Sequence, residues 1–180
     1  MSNEYKKVLF GGGCFWGVQH YFDKVKGVVK TSVGYVNGKT KQPTYEQVCK
    51  GNSEHVEVCK IEYDPNFTKL KYLMEHFVTI CDTSTLNRQG NDTGTQYRSG
   101  VYYFDELDKN DIIQFFEAYK KRNNNKPFYT EILPVQEYWN AEDYHQEYLD
   151  KNPGGYCHIN PLKYKNVENL DNLLRSEAKF

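Results

Sequence analysis

No stretch of this 180-residue sequence approaches the ~18 consecutive apolar residues that a membrane-crossing helix needs. Neither sign of charge dominates. The 23 Lys+Arg stand against 24 Asp+Glu, a net charge of -1, which leaves no electrostatic footprint for nucleic acid or an anionic membrane surface. Even the basic run Lys120-Lys121-Arg122, with Lys126 nearby, reads as a solvated surface. Lys6 and Lys7 lead into a short apolar run and then glycines, not into the apolar core of a secretion signal, so a soluble cytoplasmic protein is expected. The five cysteines (14, 49, 59, 81 and 157) form no CxxC pair, which excludes a zinc knuckle and a thioredoxin-type motif. Their odd number argues against a structural disulfide framework, so at least one thiol is expected to be reactive. Internal repeats, low-complexity tracts and Pro/Ser-rich linkers are also missing, and the length suits one domain over 1–180 with a core of its own.

What is present alternates between strand and helix signals. Val8-Leu9-Phe10 reads as a short strand, and the apolar positions 14, 15, 18, 21, 22 and 25 keep helical spacing up to a stop at Gly27. Val29, Thr31, Val33 and Tyr35 alternate as in a strand that ends at the turn Asn37-Gly38. Thr44 to Gln47 fits a capping box opening a short helix. Val56 to Tyr63 reads as a strand. Thr68 is expected to cap an amphipathic helix with Leu70, Leu73, Met74, Phe77, Val78 and Cys81 on one stripe. Ser84 to Gly100 is a long polar segment, and such loops are usually functional. A strand over 101–104, a helix over 108–123, a strand over 130–135 and a helix over 141–149 follow, with a mostly irregular segment from about residue 150. Without strict βαβ regularity, the expectation is an α+β fold, a two-layer sandwich with a mixed β-sheet around a ferredoxin-like core.

Chemistry concentrates at Gly11-Gly12-Gly13-Cys14-Phe15-Trp16-Gly17. A thiol in the first turn of a helix faces unpaired N–H groups and the positive end of the macrodipole, both of which favour a thiolate. Read alone, Cys14 is either such a reactive thiol or a small buried hydrophobe. A dinucleotide loop is excluded, because G-x-G-x-x-G begun at Gly11 meets Trp16. Phe15 and Trp16 are adjacent, so one ring is expected to line an opening, where aromatic faces would suit an S-methyl group. Glu57 shares a strand face with Cys59, Ile61 and Tyr63; read alone it is either an exposed edge-strand glutamate or a carboxyl that apolar neighbours can keep protonated, as a general acid must be. Cys157 follows Gly154-Gly155, whose freedom would let a resolving thiol swing; read alone it is equally an incidental surface thiol. His145 reads equally as a base, a supporting donor or a surface residue. A cysteine-dependent hydrolase pairing Cys14 with His145 or His55, and a non-enzymatic aromatic cage, are the other readings of the same residues.

Taken together the residues resemble the A-type peptide methionine sulfoxide reductase family. The matching motifs are Gly13-Cys14-Phe15-Trp16-Gly17, Gly34-Tyr35 with Asn37-Gly38, Pro43-Thr44-Tyr45, and His55-Val56-Glu57 running to Tyr63-Asp64-Pro65. Arg88 to Asp92, Gly94 to Ser99, Ala141 to Gln146 and Gly155-Tyr156-Cys157 complete them. The resemblance implies that Cys14 is the nucleophile and Glu57 the proton donor, with the Tyr45 and Tyr97 hydroxyls directed at the sulfoxide oxygen. It makes Phe15 and Trp16 the methyl pocket, Asp92, His145 and Tyr148 supporting residues, and Cys157 the resolving thiol. It further implies an α+β two-layer core, preference for the S epimer of peptide-bound and free methionine sulfoxide, and recycling by a thioredoxin-like dithiol. No metal or organic cofactor is called for, no nucleic acid or membrane partner, and a monomer is expected. Two departures stand out. Cys81-Asp82-Thr83 replaces the family's usual His-Asp-Pro, and no second recycling cysteine follows position 157.

Overall fold

In the computed structural model, which describes residues 4–177, a six-stranded sheet forms the spine. Met1, Ser2, Asn3 and residues 178–180 lie outside the described residues. The chain runs β1 (Lys6–Gly11), α1 (Phe15–Phe22), β2 (Val28–Val36), α2 (Tyr45–Cys49), β3 (Val56–Tyr63) and α3 (Leu70–Ile80). The hairpin β4 (Arg88–Gln89) and β5 (Asp92–Thr93) follows, then β6 (Gly100–Tyr103), α4 (Asp108–Arg122), β7 (Glu131–Pro134) and β8 (Tyr138–Asn140). Three short helices close the chain: α5 (Tyr148–Lys151), α6 (Pro161–Lys165) and α7 (Val167–Glu177).

Strand order is β7-β6-β1-β3-β2-β8. The β6–β7 pair is parallel and the other neighbours are antiparallel, so the sheet is mixed. β3 sits between β1 and β2 because α1 carries the chain over and leaves a slot for it. Period-2 alternation then sorts the side chains. Val8, Phe10, Cys59, Ile61, Tyr63, Val101 and Tyr103 point to one face. There they pack against Val18, Tyr21 and Phe22 of α1, Leu73, Met74 and Phe77 of α3, and Ile112 and Phe116 of α4. Each large side chain withdrawn from water here contributes roughly 1.5–3 kcal/mol. Leu9, Val36, Val56, Val58 and Tyr102 form a smaller cluster, against which Val135 and Tyr138 pack.

Four sequence expectations are corrected. Thr68 does not cap α3; Lys69 occupies that position without a side-chain cap, and Thr68 is buried where a Cβ at Gly27 would stand 2.7 Å from it. Residues 141–149 are not one helix. The Ala141 N–H donates to Val33 O at 2.9 Å, the Gln146 side chain bonds both backbone groups of Val33, and Glu147 takes a left-handed φ of 54°. The segment therefore completes the edge of β2, forms a 3-10 turn over Asp143–His145, and turns helical only at Tyr148. The tail is not irregular: the Asn160 side chain accepts from the Leu162 N–H with Pro161 in the first turn, and α7 buries Val167, Asp171 and Leu174. Finally, the polar segment 84–100 is ordered by β4, β5 and a 3-10 turn over Thr95–Tyr97. No helix among the described residues is long and apolar enough to cross a membrane.

Candidate active site

At the end of β1 the backbone turns through Gly13, whose φ of +81° and N–H bond to Tyr97 O at 3.2 Å direct the chain into α1. Any Cβ there would meet His158 Nε2 at 2.6 Å, so only glycine fits. Cys14 occupies the N-cap of α1. Its own N–H donates to Asp92 Oδ2 at 3.0 Å, and the Phe15 N–H donates to Glu57 Oε1 at 3.2 Å. Two carboxyls from β5 and β3 thus satisfy amides that a helix start leaves free.

Glu57 is 1% exposed, pairs with Tyr35 across β2–β3, and has its second oxygen, Oε2, buried without a partner. Burial pushes its carboxyl up to about 8 against the Phe15 amide, with the Asp92 charge adding to the rise. It is therefore a neutral acid at pH 7. Once ionised, Glu57 is also the foremost neighbouring charge acting on the Cys14 thiol and on the Tyr45 and Tyr97 phenols. Both phenols are half-buried and, mainly through burial, held above the usual tyrosine range, so they keep their protons. The Cys49 thiol lies beside Tyr45 on α2.

The expectation of a resting thiolate at position 14 is not met. Cys14 is 6% exposed, and burial first, then the Glu57 charge once that carboxyl ionises, raise its thiol well above the ordinary value. The Trp16 backbone amide works the other way and is outweighed. Desolvation wins over the helix start.

Phe15 is fully buried, its ring 5.8 Å from Tyr35, 6.4 Å from Tyr45 and 5.2 Å from His145. Trp16 stacks on Tyr148 at 3.7 Å with a 12° interplanar angle. Its Nε1–H donates to His145 Nδ1 at 2.9 Å. An accepting Nδ1 in a histidine whose pKa is lowered by burial places the proton on Nε2. His145 is thereby committed to holding Trp16, which removes it as a base for Cys14. His55 is committed elsewhere, accepting from Gly38 N–H and donating to Thr40 O. The hydrolase reading loses both of its histidines.

Asp92 joins three segments. Besides the Cys14 amide, it accepts the Tyr156 hydroxyl at Oδ1 (2.7 Å), and His158 Nδ1 lies 3.5 Å from Oδ2. His158 also donates to Gly12 O from Nε2 at 2.9 Å. Cys157 is thus held between two anchored neighbours, not on the swinging arm that Gly154-Gly155 led us to expect. Cys81, the departure from the family pattern, is buried beneath Gly12, where a Cβ would stand 3.1 Å from its sulfur. Sequence reasoning singled out no role for Glu142, Tyr156, His158 or Tyr164. Glu142 accepts from the Tyr35 hydroxyl and the Tyr45 amide, within the Ala141 to Gln146 motif. Tyr156 and His158 flank a cysteine that was singled out, and that adjacency was the available signal. Among the described residues one group, Asp23, Glu147 and Asp150, has its carboxylates within 4.8 Å of one another, as metal ligands would be. None of the three is among the Cys14 contacts, and Thr31 and Gln19 already donate to Asp23 and Glu147.

Comparison with known proteins agrees with this geometry. The family model for peptide methionine sulfoxide reductase matches residues 6–174. Peptide methionine sulfoxide reductase MsrA of Clostridium botulinum (strain Loch Maree / Type A3) is 50% identical over 154 residues, 86% of this chain and 98% of its own length. The reduced form of Mxr1 from Saccharomyces cerevisiae superposes with a TM-score of 0.82 at 36% identity, covering 87% of this chain and 92% of that one. Methionine sulfoxide reductase A of Corynebacterium diphtheriae gives 0.81 at 37% identity, over 87% and 79%. Half of the residues shared over nearly the whole length of a relative, with a neutral buried acid beside a cysteine, leave one assignment: this chain belongs to the peptide methionine sulfoxide reductase family and is an oxidoreductase.

Proposed function

We propose that the Cys14 site reduces the S epimer of methionine sulfoxide, peptide-bound and free, and that Cys157 and a thioredoxin-like dithiol restore it. The observation carrying this reading is Glu57: fully buried, neutral, fixed to the Phe15 amide through one oxygen and free at the other. A sulfoxide presents an electrophilic sulfur and a basic oxygen. Cys14 attacks the sulfur while the oxygen takes the Glu57 proton, with the Tyr45 and Tyr97 hydroxyls bearing the charge that develops. The thiol proton of Cys14 restores Glu57, methionine departs, and the oxygen stays on Cys14 as a sulfenic acid. Because thiol and acid both rest protonated, ionisation of Cys14 belongs to the reaction and not to the resting site. Phe15 and Trp16 receive the methyl group, with His145 and Tyr148 fixing Trp16 and Asp92 fixing the start of α1.

Cys157 condenses with the sulfenic acid to a disulfide, and a dithiol reduces it by exchange. Mxr1 of Saccharomyces cerevisiae has been crystallised in complex with Trx2, which supports a thioredoxin-like reductant here. The scheme requires no metal or organic cofactor. The path β1-α1-β2-β3-α3-β6 with strand order β6-β1-β3-β2 supports a ferredoxin-like, two-layer core within a single domain. A monomer in the cytoplasm, with neither nucleic acid nor membrane as partner, completes the proposal. Its test is turnover of a methionine sulfoxide peptide followed by mass. Cys14→Ser abolishes it; Cys157→Ser releases one equivalent of methionine and stalls with thioredoxin. Activity retained in the first variant removes the nucleophile assignment, and full multiple turnover in the second removes the resolving one.

A further inference from the structure

Gly17 stands one turn beyond Cys14 in α1, on the same helix face. A Cβ there would lie 2.9 Å from Cys157 Sγ, 3.2 Å from Ile159 Cδ1 and 3.3 Å from the Tyr164 hydroxyl oxygen. The missing side chain leaves a notch in the catalytic helix, and the sulfur of Cys157 occupies it. Tyr164 reaches the same notch from α6. Its hydroxyl lies 2.5 Å from Cys157 Sγ and 3.5 Å from Gly17 O, while the Ile159 N–H donates to the sulfur at 3.4 Å. The ring is held edge-on by His20 at 4.7 Å.

We infer that Tyr164, seated over Gly17, is a functional residue of the recycling step: its hydroxyl sets Cys157 for attack on oxidised Cys14 and holds the charge its sulfur develops. This rests on Cys157 being the resolving thiol. The step balances without an outside oxidant. A sulfur–sulfur bond forms between Cys157 and Cys14, the sulfur–oxygen bond of the sulfenic acid breaks, and the thiol proton leaves with the hydroxide as water. Burial, then the bond to Cys157, keep the phenol proton in place. In the resting site the Cys157 sulfur and the phenol oxygen share one hydrogen bond that either atom can donate, and Gly17 O lies within reach of the same phenol. As the thiol proton departs, the phenol O–H turns to the sulfur, joining the Ile159 amide in a charge-assisted pair of donors. Tyr164 lies outside the family motifs of the sequence, so only the fold brings it to the sulfur.

The test is a single-turnover experiment with excess methionine sulfoxide peptide and no dithiol. Wild type, Tyr164→Phe and Cys157→Ser are compared for the methionine burst, disulfide formation by peptide mass, and sulfenic acid trapped by dimedone. In Tyr164→Phe the burst persists while the Cys14–Cys157 disulfide forms about ten- to a hundredfold more slowly, the worth of a hydrogen bond to a charged group, and the dimedone adduct accumulates. With thioredoxin present, kcat then falls and the thermal midpoint stays put. Disulfide formation at the wild-type rate in Tyr164→Phe overturns the inference and leaves the Cys157 reading standing. Loss of the burst together with the disulfide overturns it too, by reducing Tyr164 to a fold support. A wild-type protein that forms no Cys14–Cys157 disulfide, or a Cys157→Ser protein that turns over fully, overturns the underlying reading instead.

Discussion

Glu57 is the side chain whose chemistry and stability pull in opposite directions. Its carboxyl is ordinarily near 4.5 and is pushed up to about 8. The folded state therefore holds a proton that the unfolded chain releases, and folding stability falls as pH rises from 4.5 to 8 before levelling. Below 4.5 both states are protonated and the penalty vanishes. In the proposed reaction the same proton is the one given to the sulfoxide oxygen, so kcat/KM should fall as pH rises through about 8, where Glu57 ionises. Glu57→Gln separates the two effects. It should slow sulfoxide reduction by roughly 10²–10⁴-fold yet raise the thermal midpoint at pH 7 to 8, the gain closing toward pH 4.5. An unchanged rate clears Glu57 of acid catalysis; a midpoint lowered at every pH shows that the carboxylate, not the acid, is the native form. The burial of Glu57 was readable in the sequence, because strand alternation alone put it on an apolar face. The state of Cys14 was not. A helix start argues for a thiolate, and only the packing of Glu57 and Phe15 around the sulfur shows that desolvation prevails.

The elements meet at Gly13, where β1 hands the chain to α1 and the segment 156–158 closes over it. Gly13→Ala should therefore act at two places at once. Its φ of +81° is unfavourable for alanine, and the new methyl would sit 2.6 Å from His158 Nε2 and 2.9 Å from Gln89 Cβ. Strain of this kind costs roughly 1–3 kcal/mol. Displacing His158 also removes its bond to Gly12 O and loosens the hold on Cys157. The expected outcome is a lower thermal midpoint with recycling slowed more than the first turnover, measured by burst against steady state; equal slowing of both phases would mean that 156–158 is not held by this contact. Helix and strand boundaries in this region followed from local signals: the Thr44 capping box, the alternation of β3, the three glycines. The 141–149 segment did not, because its apolar and polar residues also satisfy a sheet edge. The bonds from Ala141 and Gln146 to Val33, more than a hundred residues away, decide between the two.

For the molecule as a whole, the least readable part was the carboxyl-terminal segment, and it is tied down by a buried polar chain through the core. Tyr21 of α1 bonds His76 Nδ1 at 2.7 Å, and His76 Nε2 lies 2.7 Å from Asp171 Oδ1 on α7. The other oxygen of Asp171 accepts the Lys26 N–H at 3.1 Å. His76 is 0% and Asp171 2% exposed, so nothing else can satisfy the His76 Nε2 once the carboxylate is gone. In sequence an aspartate on a polar amphipathic helix looks like a surface residue, and its partner sits 95 positions earlier. That pairing is what turns α7 from a loose appendage into part of the fold, and α7 follows directly on the helix bearing Tyr164. Asp171→Ala should leave the buried His76 Nε2 unpaired, at about 1–3 kcal/mol. At roughly 2–4 °C per kcal/mol for a chain of this size, the thermal midpoint should drop by about 2–12 °C. The first-turnover burst, made by β1, α1, β3 and their carboxyls, should stay near wild type at temperatures below the transition. Scanning calorimetry paired with the burst assay reads both quantities. A midpoint that does not move would show that α7 docks without strengthening the core, and a burst lost along with it would extend the catalytic unit to the carboxyl-terminal helix.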